Sequence, residues 1–274
     1  MRINKKLGTI VSLCIIVIII VICGLYINRM RYNKEGFQAE QSPKVAILFG
    51  GRIKGYEAVK DSLKAIKDKY NATVFCSLNK VTKSDYIKGF CDLMSISDDR
   101  LNLEKTPKYP EYLNHVNLDD VMKGKWGDGN PFETLHSYHF QLQKVFKLLE
   151  DYQTKNNMMF DIILYYRADI ETKAELTFKT PIKDMTVYIP ENVPSCDWGG
   201  LCAQLAYGNY KSMKYYCNII DSIKHMTTEQ HIKLHAETLI KKYLENGNIN
   251  VERFPYVHTL TPLRHQPNHS DNVE

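Results

Sequence analysis

The chain opens on one unbroken apolar stretch and then alternates short apolar runs with amphipathic stripes. Ile10 to Ile27 carries no charge and includes Ile15, Ile16, Val17, Ile18, Ile19, Ile20, Val21 and Ile22 in series. At ~1.5 Å per helical residue this run reaches about 27 Å, close to the hydrocarbon thickness of a bilayer. A soluble helix would keep a polar face, and this run has none. It is too long for a signal-peptide core, and no small-residue cleavage pattern follows it. We therefore read 1–9 as a short tail, 10–27 as a single transmembrane anchor and the polar residues 28–42 as a stem.

From Lys44 onward the pattern is that of an α/β fold. Val45-Ala46-Ile47-Leu48-Phe49 is continuously apolar and stops at Gly50-Gly51, which predicts a strand covered on both faces, as in a parallel sheet. Tyr56, Val59, Leu63 and Ile66 recur at helical spacing, and Ala72 to Cys76 predicts the next strand, completing a βαβ unit. Residues 79–134, broken by Pro107, Pro110, Gly124, Gly127, Gly129 and Pro131, predict loops with short helices. A helical stripe follows at Leu142, Val145, Phe146 and Leu149, running to about Tyr152, and then a central strand over Asp161 to Tyr166. Met185 to Ile189 predicts a strand, and 191–202 a loop. Helices are predicted over Tyr210–Ile223 and over Glu229–Leu244, the second closed by Gly247, with a last strand over Ile249–Phe254. Strands alternating with helices imply a mostly parallel central sheet flanked by helices. The body spans 43–265, leaving 266–274 as a flexible tail.

Charge changes this picture little. Residues 1–34 hold Arg2, Lys5, Lys6, Arg29, Arg31 and Lys34 and no acidic residue, so the whole of the +5 net charge is accounted for around the anchor. The rest of the chain is close to neutral, which argues against a nucleic-acid partner. Lys and Arg are balanced across the anchor, so the positive-inside rule does not orient it. Two sequons, Asn71-Ala72-Thr73 and Asn268-His269-Ser270, tilt the expectation toward a glycosylated lumenal or extracytoplasmic body. Cys14 and Cys23 lie in the anchor; Cys76, Cys91, Cys196, Cys202 and Cys217 lie in the body, with no CxxC pair or zinc spacing.

In an open α/β sheet, ligands bind beyond the carboxyl ends of the strands. Gly50-Gly51-Arg52 stands at the first such end, where glycines admit a ligand to the backbone and arginine offers a fork of donors to phosphate. Arg167-Ala168-Asp169 follows the central strand, placing a carboxylate that could hold a divalent cation beside an arginine that could neutralise phosphate. Asp197-Trp198-Gly199-Gly200 joins an aromatic face to a hydrogen-bonding carboxylate, a combination suited to a sugar ring. His231 and His235 fall at i, i+4, but no third ligand accompanies them, and Glu237 sits just off their stripe. Patterns for serine hydrolases, cysteine proteases and protein kinases are absent.

In order, these segments, together with Ala203-Gln204-Leu205-Ala206-Tyr207-Gly208 and His235-Ala236-Glu237-Thr238-Leu239, resemble the glycosyltransferase-like proteins with a GT-A type domain, among them lipopolysaccharide-synthesis and virus-encoded members. The resemblance spans about 44–260 and rests on order and spacing; the tail, anchor, stem and body arrangement resembles a type II membrane glycosyltransferase. It implies a Rossmann-like GT-A sheet, a nucleotide-sugar donor and a glycan or protein acceptor. Gly50, Gly51, Arg52, Arg167 and Asp169 would bind the donor. Trp198, Gly199 and Gly200 would hold the sugar or acceptor, and Asp197 or Glu237 would be the base. Mn²⁺ or Mg²⁺ would sit at Asp169, although the family's first acidic position is Arg167 here, an arginine able to do part of a cation's work. Ala203 likewise replaces an expected aspartate. The alternative reading is a non-enzymatic, membrane-anchored glycan- or protein-binding protein on a degenerate transferase fold.

Overall fold

The computed structural model describes residues 42–260, except 54, 81–83, 118–129, 173, 192–196 and 198. The anchor, most of the stem, Trp198, Cys196 and the tail over 266–274 lie outside the described residues. Among the described residues no helix is long and apolar enough to cross a membrane.

The expected βαβ unit forms as β1 (Val45–Gly51), α1 (Tyr56–Lys69) and β2 (Thr73–Leu78), with β1 and β2 parallel. Successive strand residues point to opposite faces, and both faces of β1 are buried. Ala46 and Leu48 join one core with Phe75, Ile163 and Tyr165, whereas Val45, Ile47 and Phe49 join another with Val74, Cys76, Leu164 and Tyr166. Val59, Leu63 and Ile66 of α1 complete the second core. Within the 79–134 region, α2 (Ser84–Met94) buries Ile87, Phe90 and Met94 on the same side, and a short β3 (Leu101–Leu103) extends the sheet edge.

The stripe centred on Leu142–Leu149 belongs to a longer helix than expected, α3 (Pro131–Asn156). Its start is written in the sequence: Asn130 accepts hydrogen bonds from Phe132 N and Glu133 N, and Pro131 occupies the first helical position, where its missing N–H costs nothing. At ~1.5 Å per residue it extends about 39 Å, and it packs on β1, β2 and β3. It lies so close to β1 that a Cβ on Gly50 would meet the backbone of Gln141 and Leu142 at 3.1–3.2 Å.

The central strand is β4 (Ile162–Tyr166), parallel to β1, and a two-residue β5 (Ile170–Glu171) follows. Then come β6 (Thr186–Pro190), β7 (Leu205–Gly208), α4 (Tyr210–Cys217), α5 (Ile223–Thr228), α6 (Ala236–Asn246), β8 (Asn250–Phe254) and β9 (Thr259–Leu260). The seven-stranded sheet runs β3-β2-β1-β4-β7-β6-β8, and β5 pairs with β9 separately. It is mixed rather than fully parallel, because β7 is antiparallel to both β4 and β6. The sequence reading assigned no strand there: Leu205–Gly208 is only four residues, all buried, and a run so short leaves no period to read.

Two helix expectations are corrected. The helix expected over Tyr210–Ile223 stops at Cys217; a 3₁₀ turn (Ile219–Ser222) intervenes before α5. The helix expected over Glu229–Leu244 begins only at Ala236. His231 has φ of 54°, Leu234 N donates to Asn117 O at 2.8 Å, and His235 is extended at φ −156°. Burying Leu234 against the 111–117 segment wins over continuing the helical period, and His231 and His235 therefore share no helix face.

Candidate functional site

Four segments meet past the carboxyl end of β4. Register sets Leu48 of β1 beside Tyr165 of β4, so Gly51 reaches the level of Ala168. Gly51 has φ of 97° and open space around it, so this turn needs glycine for its backbone and leaves room beside it. Arg52 is exposed. The two glycines of this turn thus differ: Gly50 admits helix α3, and Gly51 shapes the open end.

Arg167 and Asp169 form a closed fork. Arg167 Nε donates to Asp169 Oδ1 at 3.0 Å and an Nη2 hydrogen goes to Oδ2 at 2.7 Å. Such bidentate pairs fix geometry as well as charge. The Asp169 side chain is 13% exposed and that of Arg167 37% exposed, so the arginine is the less enclosed partner of the pair. Burial works to lower the Arg167 pKa, but the Asp169 charge and hydrogen bonds outweigh it and raise the value. The backbone N–H of Arg167 donates to Gln204 O at 3.0 Å, binding this turn to the residue before β7. Gln204 Oε1 in turn lies 3.0 Å from His258 Nε2. Burial, with the Arg167 charge, lowers the His258 pKa, against a hydrogen bond with the Tyr256 backbone.

The Asp197–Gly200 loop and the start of α6 are one construction. A Cβ on Gly200 would fall 2.5 Å from Thr238 N and closer still to the Glu237 carbonyl, and Leu201 N donates to Glu237 O at 3.1 Å. Gly200 is therefore the contact that sets the first turn of α6 against the loop. Gly199, at φ 83°, faces open space. Asp197 is committed within the loop: its Oδ1 accepts from Cys202 N at 2.9 Å and from Arg253 Nη1 at 3.1 Å, and Arg253 also donates to Pro190 O. Cys202 is disulfide-bonded, while Cys76, Cys91 and Cys217 are free.

Glu237 has the opposite character. Its side chain is 14% exposed, with Oε2 3.2 Å from His235 Nε2. Desolvation pushes its pKa up to about 7; its own backbone N–H and the Arg167 charge oppose the rise, and Asp197 adds to it. A carboxyl that titrates near neutrality beside a fixed guanidinium is suited to taking a proton. Beneath it, Tyr138 Oη donates to Ala203 O at 2.9 Å, and the rings of Tyr165 and Tyr216 lie 6.0 and 6.3 Å along the chain Tyr138–Tyr165–Tyr216.

Of the residues named from sequence, Arg167, Asp169, Gly200 and Glu237 are brought together; Asp197 adjoins them but is held by Arg253, and His231 is exposed elsewhere. Arg253 and His258 escaped notice because their roles come from tertiary contacts, with no local motif. At Asp169 both oxygens already accept from Arg167, and among the described residues no group of three or more His, Cys, Asp or Glu could hold a metal. This donor set does not fit a divalent cation. A surface hollow of about 410 Å³ is lined by Lys108, Tyr109, Glu111 and Asn114 and shares no residue with the site.

No family model matches the chain. No curated protein matches it either. Among solved structures, it aligns with the glycosyltransferase GlyE of Streptococcus pneumoniae TIGR4 at 12% identity and a TM-score of 0.41, covering 77% of this chain and 45% of that one. It aligns with the galactosyltransferase LgtC, determined with donor and acceptor sugar analogues, at 11% identity and a TM-score of 0.44, covering 76% and 72%. With the bifunctional glycosyltransferase WbbM the values are 11% and 0.41, covering 79% and 39%. The chain thus spans less than half the length of the GlyE and WbbM chains. Likeness this distant carries no weight on activity.

Proposed function

We propose that the protein is a glycosyltransferase that moves a sugar from a nucleotide-sugar donor to an acceptor hydroxyl, with its body on a GT-A-like sheet held to a membrane through residues 10–27. The observation that carries the reading is Glu237, a carboxyl only 14% exposed on the first turn of α6, packed against the Gly200 loop, with desolvation pushing its pKa up to about 7. In this reading Glu237 takes the proton from the acceptor O–H. The acceptor oxygen then forms a bond to the anomeric carbon as the bond from that carbon to the donor phosphate oxygen breaks. The nucleotide departs with the electron pair, and Arg167 meets the negative charge that develops on it. Arg52 lies within the same end of the sheet to contact the nucleotide, and Gly51 and Gly199 leave space for the donor and its sugar. A base on the acceptor side implies inversion at the anomeric carbon.

The test is release of free nucleotide from UDP-, GDP- and CMP-sugars by the full-length protein in detergent, with a panel of glycan acceptors. Turnover of one donor class, reduced by ~10²–10⁴ in Glu237→Gln, is expected. Binding of glycans with no turnover of any donor would favour the non-enzymatic binding protein instead.

A further inference from the structure

The fork between Arg167 and Asp169 has a consequence for what the donor requires. A carboxylate that serves a divalent cation must present free oxygen lone pairs to it. Here both Asp169 oxygens are taken by one guanidinium, at 3.0 and 2.7 Å, and the carboxylate is the more enclosed partner, at 13% exposure against 37%. At this strand end the carboxylate is therefore the more enclosed member of the pair and the arginine the less enclosed one. The fork uses Nε and one Nη2 hydrogen of Arg167, so the guanidinium keeps further N–H donors, in a plane that suits two phosphate oxygens.

We propose that the site binds the phosphates of its donor without a divalent cation, and that Asp169 is a positioning residue which holds Arg167 in the orientation that receives them. This inference rests on the nucleotide-sugar reading above. Arg167 then does two things that a metal would do: it neutralises the bound phosphates, and it stabilises the charge on the departing nucleotide. Asp169 touches neither substrate.

Isothermal titration of the full-length protein in detergent, with UDP- and GDP-sugars and the free nucleoside diphosphates, separates the possibilities. Each titration is run in EDTA and again in Mn²⁺. The expected result is the same Kd in both, within about twofold, and a loss of about tenfold or more in Asp169→Asn whether or not Mn²⁺ is present. Arg167→Lys keeps the charge but loses the fork, and should weaken binding in EDTA without being rescued by Mn²⁺. Circular dichroism on each variant establishes that it is folded; if Asp169→Asn does not fold, the wild-type comparison and Arg167→Lys still decide the matter. Binding only in Mn²⁺ would overturn the metal-free site while leaving the nucleotide-sugar reading intact. Unchanged affinity in Asp169→Asn would overturn its positioning role. No binding of any donor in either condition would bring down the reading on which the inference rests.

Discussion

Replacing Gly200 by alanine probes the joint on which the site depends. The new methyl would stand 2.5 Å from Thr238 N and nearer to the Glu237 carbonyl. Ordinary contact between such atoms needs ~3.5–4.0 Å. The obstruction is backbone at the first turn of α6, not the end of a mobile side chain, so loop and helix must separate by about 1 Å or more. Overpacking of this kind costs ~1–3 kcal/mol, and at ~2–4 °C per kcal/mol for a body of this size Tm should fall by several degrees. The effect on chemistry should be larger. Glu237 moves with the helix turn, and a displacement of about 1 Å can cost ~10²-fold in rate. Gly199→Ala is the matched control: nothing lies within 4 Å of its added methyl, and the cost is the φ of 83° alone, ~1–2 kcal/mol. Thermal unfolding should show similar losses of stability in the two variants, and donor turnover of Gly200→Ala should fall far beyond what its loss of stability explains. Gly200→Ala with unchanged Tm and unchanged turnover would refute the idea that this contact places Glu237.

Three further outcomes follow from single side chains. Glu237 is a carboxyl whose folded pKa, about 7, lies above its unfolded value, so the folded state holds the proton more tightly; that contribution to stability is complete below about pH 4.5 and lost as pH rises through 7. Urea unfolding should find Glu237→Gln more stable than the wild type at pH 8, by an amount on the order of 3 kcal/mol at most, and the two alike near pH 4. His139 is fully buried, neither ring nitrogen has a hydrogen-bond partner among the described residues, and desolvation lowers its pKa to about 3. Chemical denaturation should therefore show His139→Leu to be neutral or stabilising by ~1–3 kcal/mol; a large loss of stability would mean that the ring has a hidden partner. Arg253→Ala removes donors to both Pro190 O and Asp197, and should lower Tm by a few degrees and speed proteolysis near Gly199–Leu201, with α1 and β1 unaffected.

What the sequence made legible was the local part of the fold. Val45–Phe49 and Ile162–Tyr166 are apolar on both faces because both faces are covered, and α1 shows its stripe because one side meets solvent. The places that escaped are those where tertiary contact overrides period. Leu234 is drawn into a pairing with Asn117 and ends the helical reading of Glu229–Ala236, although Ile232, Ala236 and Leu239 continue the spacing. β7 is too short to announce itself. The site shows the same division. Arg167-Ala168-Asp169 could be placed at a strand end from sequence, but nothing local tells that the two side chains close on each other. The glycines were visible as glycines; that Gly50 admits α3 and Gly200 admits α6 depends on elements far along the chain.

The most direct test of Glu237 as the base of a nucleotide-sugar-dependent transfer is the pH profile of kcat/KM for wild type and Glu237→Gln, once a donor is in hand. The account predicts a wild-type rate that falls about tenfold per pH unit below about 7, as the carboxyl takes up its proton, and a Glu237→Gln rate lower by ~10²–10⁴ that no longer follows this limb. Wild-type activity retained by Glu237→Gln, with the acidic limb in place, would contradict it.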